Sequence, residues 1–144
     1  MPVIGFTSTR ATAVVTRDTR AAAEARRLLE TVSGAGTVST DTAALLLSEV
    51  VSNAVRHAEG ATIKMVVVGD QARGTVTCAV FDSTADMGRG PRRGDAPLDE
   101  LETGRGLDIL DALADRWGVT MVGAHGKWVW FRVTVHERVP ALAA

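Results

Sequence analysis

The sequence is poor in the groups from which covalent and metal-bound frameworks are built. Its 144 residues include one cysteine, Cys78, which excludes an intramolecular disulfide framework or a multi-cysteine zinc site and fits a reducing cytoplasm. Set mid-strand without an evident histidine partner, Cys78 reads as core packing and not as a nucleophile. None of the three histidines stands at metal-ligand spacing, and His125 in a turn and His136 near the tail are expected to be exposed. An excess of one charge is also missing. The net charge of −1 offers no bulk attraction toward nucleic acid or an anionic membrane, so any bound phosphate must be held locally. No window approaches the roughly 20 apolar residues of a membrane span, and no signal-peptide run opens the chain. The stretch MPVIGFTSTRATAVVTR has arginines and threonines but no acid before Asp18, a faint transit-peptide composition; ATAVVTR, however, already reads as a strand.

What is present is enough for one packed domain. Hydrophobic residues at 46% and charged residues at 23% are near globular averages and argue against disorder. The expected organisation is a single domain over 1–144, with a core at about 10–136, a lid at 83–103 and a short tail at 137–144. Residues 11–17 read as a strand and 19–33, TRAAAEARRLLETVS, as a helix ended by Gly34 and Gly36. Ser39 to Asp41 supply N-cap types for a second helix that runs to about Ala58. TIKMVVVG and TVTCAVFD, joined by DQARG, read as a hairpin. The lid STADMGRGPRRGDAPLDELET breaks every period. GRGLDILDALADRWG reads as a third helix closing on Gly118, and VTMVG and KWVWFRVTV as a second pair of strands. This order predicts an α+β, two-layer sandwich: a mixed, mostly antiparallel sheet with helices on one face.

Three short segments stand out. On the second helix, at 100° per residue from Glu49, Asn53 falls at about 40°, His57 at about 80°, Arg56 at about 340° and Ser52 at about 300°. That is the ordinary pattern of a wet helix face. Asparagine is a mediocre mid-helix residue, however, and Leu46 falls inside the polar arc, so the face is not simply open to water. A carboxylate beside a side-chain carbonyl suits a magnesium shell and a base. Asp82 ends an apolar strand, either as a turn-opening aspartate or as an acceptor for an exocyclic amine. Gly104-Arg105-Gly106 opens the third helix, where backbone amides can approach an anion and Arg105 can add a charged fork. Neither a dinucleotide fingerprint nor a Walker loop is present. Asp108, Asp111 and Asp115 share a helical face read as solvated.

Taken together, SEVVSNAVRHA, AVFDS, the long lid, GRGLDILDALADRWGV and GKWVWF resemble the Bergerat-fold ATP-binding superfamily of gyrase, heat-shock chaperones, histidine kinases and mismatch-repair ATPases. The nearest likeness is to the small bacterial anti-sigma-factor serine kinases of actinomycete type, over roughly residues 18–135. The resemblance implies ATP and magnesium as ligands. It makes Glu49 the general base, Asn53 the magnesium ligand, and Asp82 the reader of the adenine amine. Gly104, Arg105, Gly106 and Leu107 then belong to the phosphate box, with Arg56, His57 and Lys127 near the nucleotide. It further implies a cytoplasmic serine/threonine kinase that binds a sigma factor or phosphorylates an anti-anti-sigma partner, and a homodimer. Two departures favour an alternative, a nucleotide-gated binding module without phosphotransfer. The box Asp82-Ser83-Thr84 lacks the usual glycine, and Gly126-Lys127-Trp128 stands where many relatives carry threonine. In the last strand, Val129, Phe131, Val133 and Val135 alternate toward the core, which sends Trp128, Trp130 and Arg132 to the other face as a partner-binding patch or as a surface packed under MPVIGF.

Overall fold

A computed structural model describes residues 8–33, 38–83 and 108–137. Lid positions 84–103, the box Gly104, Arg105, Gly106 and Leu107, the segment MPVIGF, Gly34 and Gly36, and tail positions 138–144 lie outside the described residues. The elements are β1 (Ser8–Thr16), α1 (Ala21–Ser33), β2 (Val38–Ser39), α2 (Asp41–His57), β3 (Thr62–Asp70) and β4 (Thr75–Asp82). After these come helical residues 108–113, here α3, then β5 (Arg116–Val122), β6 (Gly126–Thr134) and β7 (His136–Glu137).

Five strands form one sheet in the order β1-β3-β4-β6-β5, and every neighbouring pair is antiparallel. The fold is α+β, a sheet with helices against it, as expected; the described sheet contains no parallel pair. The β2 and β7 dipeptides make a separate short ladder, Val38↔Glu137 and Ser39↔His136, which places Ser39 in a strand. Thr40 takes the N-cap position of α2 without a side-chain cap bond, and Asp41 supplies the acid of the first turn, where it complements the helix dipole.

Strand alternation decides which side is buried. Ile63, Met65 and Val67 of β3, Val76, Cys78 and Val80 of β4, and Phe131 and Val133 of β6 point to one face and are almost completely buried. The helices cover that face: Ala25 and Leu29 from α1, Leu46, Leu47, Val50, Val51 and Ala54 from α2, and Leu110 from α3 complete the core. α1 packs over β1 and β3, and α2 over β4 and β6. Cys78 is fully buried, and burial pushes its thiol far above the ordinary range, which suits packing and not nucleophilic chemistry.

The third helix ends sooner than its composition suggests. Ala114 N–H still reaches the Leu110 carbonyl, but Asp115 N–H donates to the Arg132 carbonyl at 2.8 Å, and from Arg116 the chain is strand. Trp117 explains the switch. It lies opposite Phe131, packs against the core, and donates its indole N–H to Asp111 Oδ1 at 2.8 Å. Tertiary burial overrides the helical propensity of ADRW. Asp115 therefore leaves the helix and accepts from Thr134 Oγ1 at 2.6 Å, so the three aspartates do not share one helical face.

On the opposite face of the sheet, Trp128 and Trp130 are half-buried by their cross-strand neighbours. Trp128 meets Phe81 edge-on at 5.3 Å. Trp130 lies over Gly118, where an added Cβ would stand 3.0 Å from the indole. Arg132 Nε donates to Thr77 Oγ1 at 3.0 Å. These pairs occupy the tryptophan faces within the sheet itself.

Candidate functional site

The second helix keeps its polar line where the periodicity puts it. Leu46 is fully buried and Val50 nearly so, while Glu49 and Asn53 are half-buried and Arg56 and His57 exposed. Glu49 and Asn53 thus stand at the margin of the core and not on a fully solvated face. Asn53 Oδ1, the candidate metal ligand, accepts a bond from Arg56 Nη2 at 2.6 Å, an i,i+3 pair across one helical turn.

Asp82 is the only buried charged residue among those described, 7% exposed. A carboxylate in that position costs several kcal/mol unless it is paired and hydrogen-bonded, by a rough estimate for buried ions. The partner is Lys127, whose Nζ lies 3.0 Å from Asp82 Oδ2. The two residues are direct register partners across β4 and β6, and their alternation places both side chains on the helix-covered face. Asp82 ends a paired strand with its carboxylate turned inward.

Two glycines hold this end of β4. Gly126 has φ +147°, and a Cβ there would collide with the Asp82 carbonyl oxygen, and approach Phe81 Cζ at 2.7 Å and Ser83 Cα at 2.9 Å. Only glycine fits both the conformation and the space. On the other side, Ser83 Oγ donates to the Glu59 carbonyl, and the same hydroxyl lies against Gly60. The C-terminal end of α2 and the end of β4 consequently meet. Arg17 fastens the same corner from β1's end: its guanidinium donates to the Val55 carbonyl at 2.8 Å and to the Gly60 carbonyl at 2.7 Å, a cation at a helix C-terminus where the dipole favours it. The C-terminal end of α2, the ends of β1 and β4 and the buried carboxylate thus lie at one end of the fold. Of the residues expected in the site, Glu49, Asn53, Arg56, His57, Asp82 and Lys127 are described, and the four box residues are not.

A family model of the histidine kinase-like ATPase domain matches residues 14–133. The chain belongs to that family. This histidine kinase-like ATPase domain is an ATP-binding domain of the GHKL, or Bergerat, type, and its α+β fold agrees with that class. No characterised protein matches the chain at a significant level. None of the described helices is long and apolar enough to cross a membrane.

The donor set fits a purine nucleotide. A buried carboxylate at a strand end can accept from an exocyclic amine, and half-buried Glu49 and Asn53 carry the oxygens that would serve phosphate and metal. Among the described residues, no three His, Cys, Asp or Glu side chains converge on a metal position. Magnesium would be held through Asn53 and the nucleotide phosphates together, the usual mode for this ion. Arg56 must release Asn53 Oδ1 for that to occur. Ser83 and Gly126 stood out in the sequence only as departures from the family's boxes, and Arg17 not at all. A glycine directly before an alternating strand is a readable sign for Gly126; nothing local marks Arg17, whose side-chain partners lie in the last turn of α2 and just after it.

Proposed function

We propose that the chain is an ATP- and magnesium-dependent protein serine/threonine kinase of anti-sigma-factor type, which phosphorylates an anti-anti-sigma partner in the cytoplasm. The buried Asp82 carboxylate, at the corner where β4 meets the end of α2, carries this reading within a family of ATP-binding domains. Asp82 accepts from the adenine amine, Asn53 holds magnesium, and Gly104, Arg105, Gly106 and Leu107 contact phosphate. Glu49 takes the proton of the attacking serine hydroxyl. Bound ATP would supply the γ-phosphoryl group to the serine oxygen and leave as ADP, and magnesium would neutralise the phosphate charge. Sigma-factor binding and a homodimer belong to the same proposal.

The Arg56–Asn53 bond and the Lys127–Asp82 pair favour a second reading, a nucleotide-gated binding module without transfer, because both key groups are already engaged by the chain's own cations. Incubation with labelled ATP and a candidate anti-anti-sigma protein separates the two. The kinase places label on the partner, and Glu49→Ala abolishes labelling while nucleotide binding stays within about threefold. Full labelling by Glu49→Ala would sink the assignment of Glu49; partner binding that depends on ATP but leaves no label supports the module.

A further inference from the structure

We infer that Lys127 reads the 6-position of the purine together with Asp82, so that the site accepts 6-oxo as well as 6-amino purine nucleotides. This rests on the nucleotide reading above. The observation is the juxtaposition of an acceptor and a donor at the buried end of the site. Asp82 Oδ2 and Lys127 Nζ are 3.0 Å apart, they project from directly paired positions of neighbouring strands, and the Lys127 side chain is only 27% exposed.

Purine chemistry makes that pair consequential. A 6-amino purine presents an N–H at the 6-position and a lone pair at N1, whereas a 6-oxo purine presents lone pairs at O6 and an N–H at N1. A carboxylate alone suits the first and repels O6 of the second. With an ammonium beside it, each edge finds one acceptor and one donor: Asp82 takes the N–H and Lys127 donates to the lone pair, whichever atom carries it. These are the pairings by which carboxylates bind base amines and lysines bind base carbonyls in nucleic-acid recognition. Lysine has three donor hydrogens, so it can keep Asp82 while donating to a base. The preceding Gly126 leaves no space for a side chain against Phe81 and Ser83, so the strands approach closely where Lys127 begins.

A lysine that only neutralised Asp82 would affect all purine nucleotides alike. The test is equilibrium binding, read by calorimetry, of ATP and of inosine triphosphate, which differs from ATP at this edge alone. The native protein should bind the two within about tenfold of each other, and Lys127→Met, which keeps the aliphatic stem, should weaken inosine triphosphate by about tenfold more than ATP. Lys127→Arg, retaining donors, should keep the native ratio to within about threefold. Equal weakening of both nucleotides by Lys127→Met overturns the inference. So does native protein that binds ATP but takes inosine triphosphate more than about tenfold less tightly, a measurement that needs no variant to fold. In either of those cases ATP binding itself stands; a protein that binds neither nucleotide overturns the nucleotide reading and the role of Lys127 together.

Discussion

At the scale of single residues, the molecule contrasts two kinds of ion pair. Asp18 and Arg20 form a surface pair at 3.1 Å just ahead of α1, with Arg20 exposed and Asp18 partly so, and Asp18 also accepts from the Arg20 backbone N–H at 2.8 Å. The side-chain bond from Arg20, then its backbone bond, hold the Asp18 carboxyl below the usual carboxylate range. A folded-state value below the unfolded one means stability that is present above the unfolded value of about 3.8 and lost as pH falls through the lower, folded one. Asp18→Asn should therefore lower stability slightly at neutral pH, leave it unchanged at pH values below the folded one, and so flatten part of the acid limb of the stability curve, as followed by urea unfolding across pH. The Asp82–Lys127 pair differs because both charges sit where solvent is scarce. Its partnership was not readable from the chain. Asp82 was identifiable as a site candidate by its place at a strand end and Lys127 only through the family resemblance, and which residues face one another depends on a register fixed by distant core contacts.

At the scale of elements, the hairpins and helices were legible because their periods are clean. Val and Ile alternate in β3 and β4, and the apolar stripe of α2 recurs at helical spacing. The α3–β5 boundary was not, because ADRW has helical composition and only the burial of Trp117 against the core decides otherwise. The two-residue β2 and β7 strands are too short to have any period. Turn chemistry supplies the sharpest test at this scale. Gly126 opens β6 at a φ that disfavours side chains, against atoms of Phe81, Asp82 and Ser83. Gly126→Ala should destabilise the fold by about 3 kcal/mol and disturb the spacing of Lys127 from Asp82. Guanidinium unfolding of the variant beside the native protein measures the first effect, and loss of nucleotide affinity beyond what stability explains measures the second. A loss under about 0.5 kcal/mol would mean that the hairpin yields without strain.

At the scale of the whole molecule, a site made where a helix end and a strand end meet couples ligand binding to global stability. ATP at about 100 times its dissociation constant should raise stability by about 2.7 kcal/mol, seen as a rise in melting temperature that scales with ligand concentration and increases when magnesium is added. No shift at saturating ATP would contradict nucleotide binding by the native fold. The α+β architecture was legible as an element order; strand order was not, since no local pattern says that β6 rather than β5 adjoins β4. That order has a kinetic consequence. β3 and β4 are joined by a tight turn and β5 and β6 by another, so these hairpins close quickly. The pairings of β1 with β3 and of β4 with β6 must instead join segments far apart in the chain, and contacts between distant parts of a chain form late. The corner where both long-range pairings end, with Arg17 on one side and the Asp82–Lys127 pair on the other, is accordingly expected to be completed late in folding, so that the proposed nucleotide site matures only when the hairpins are already in place.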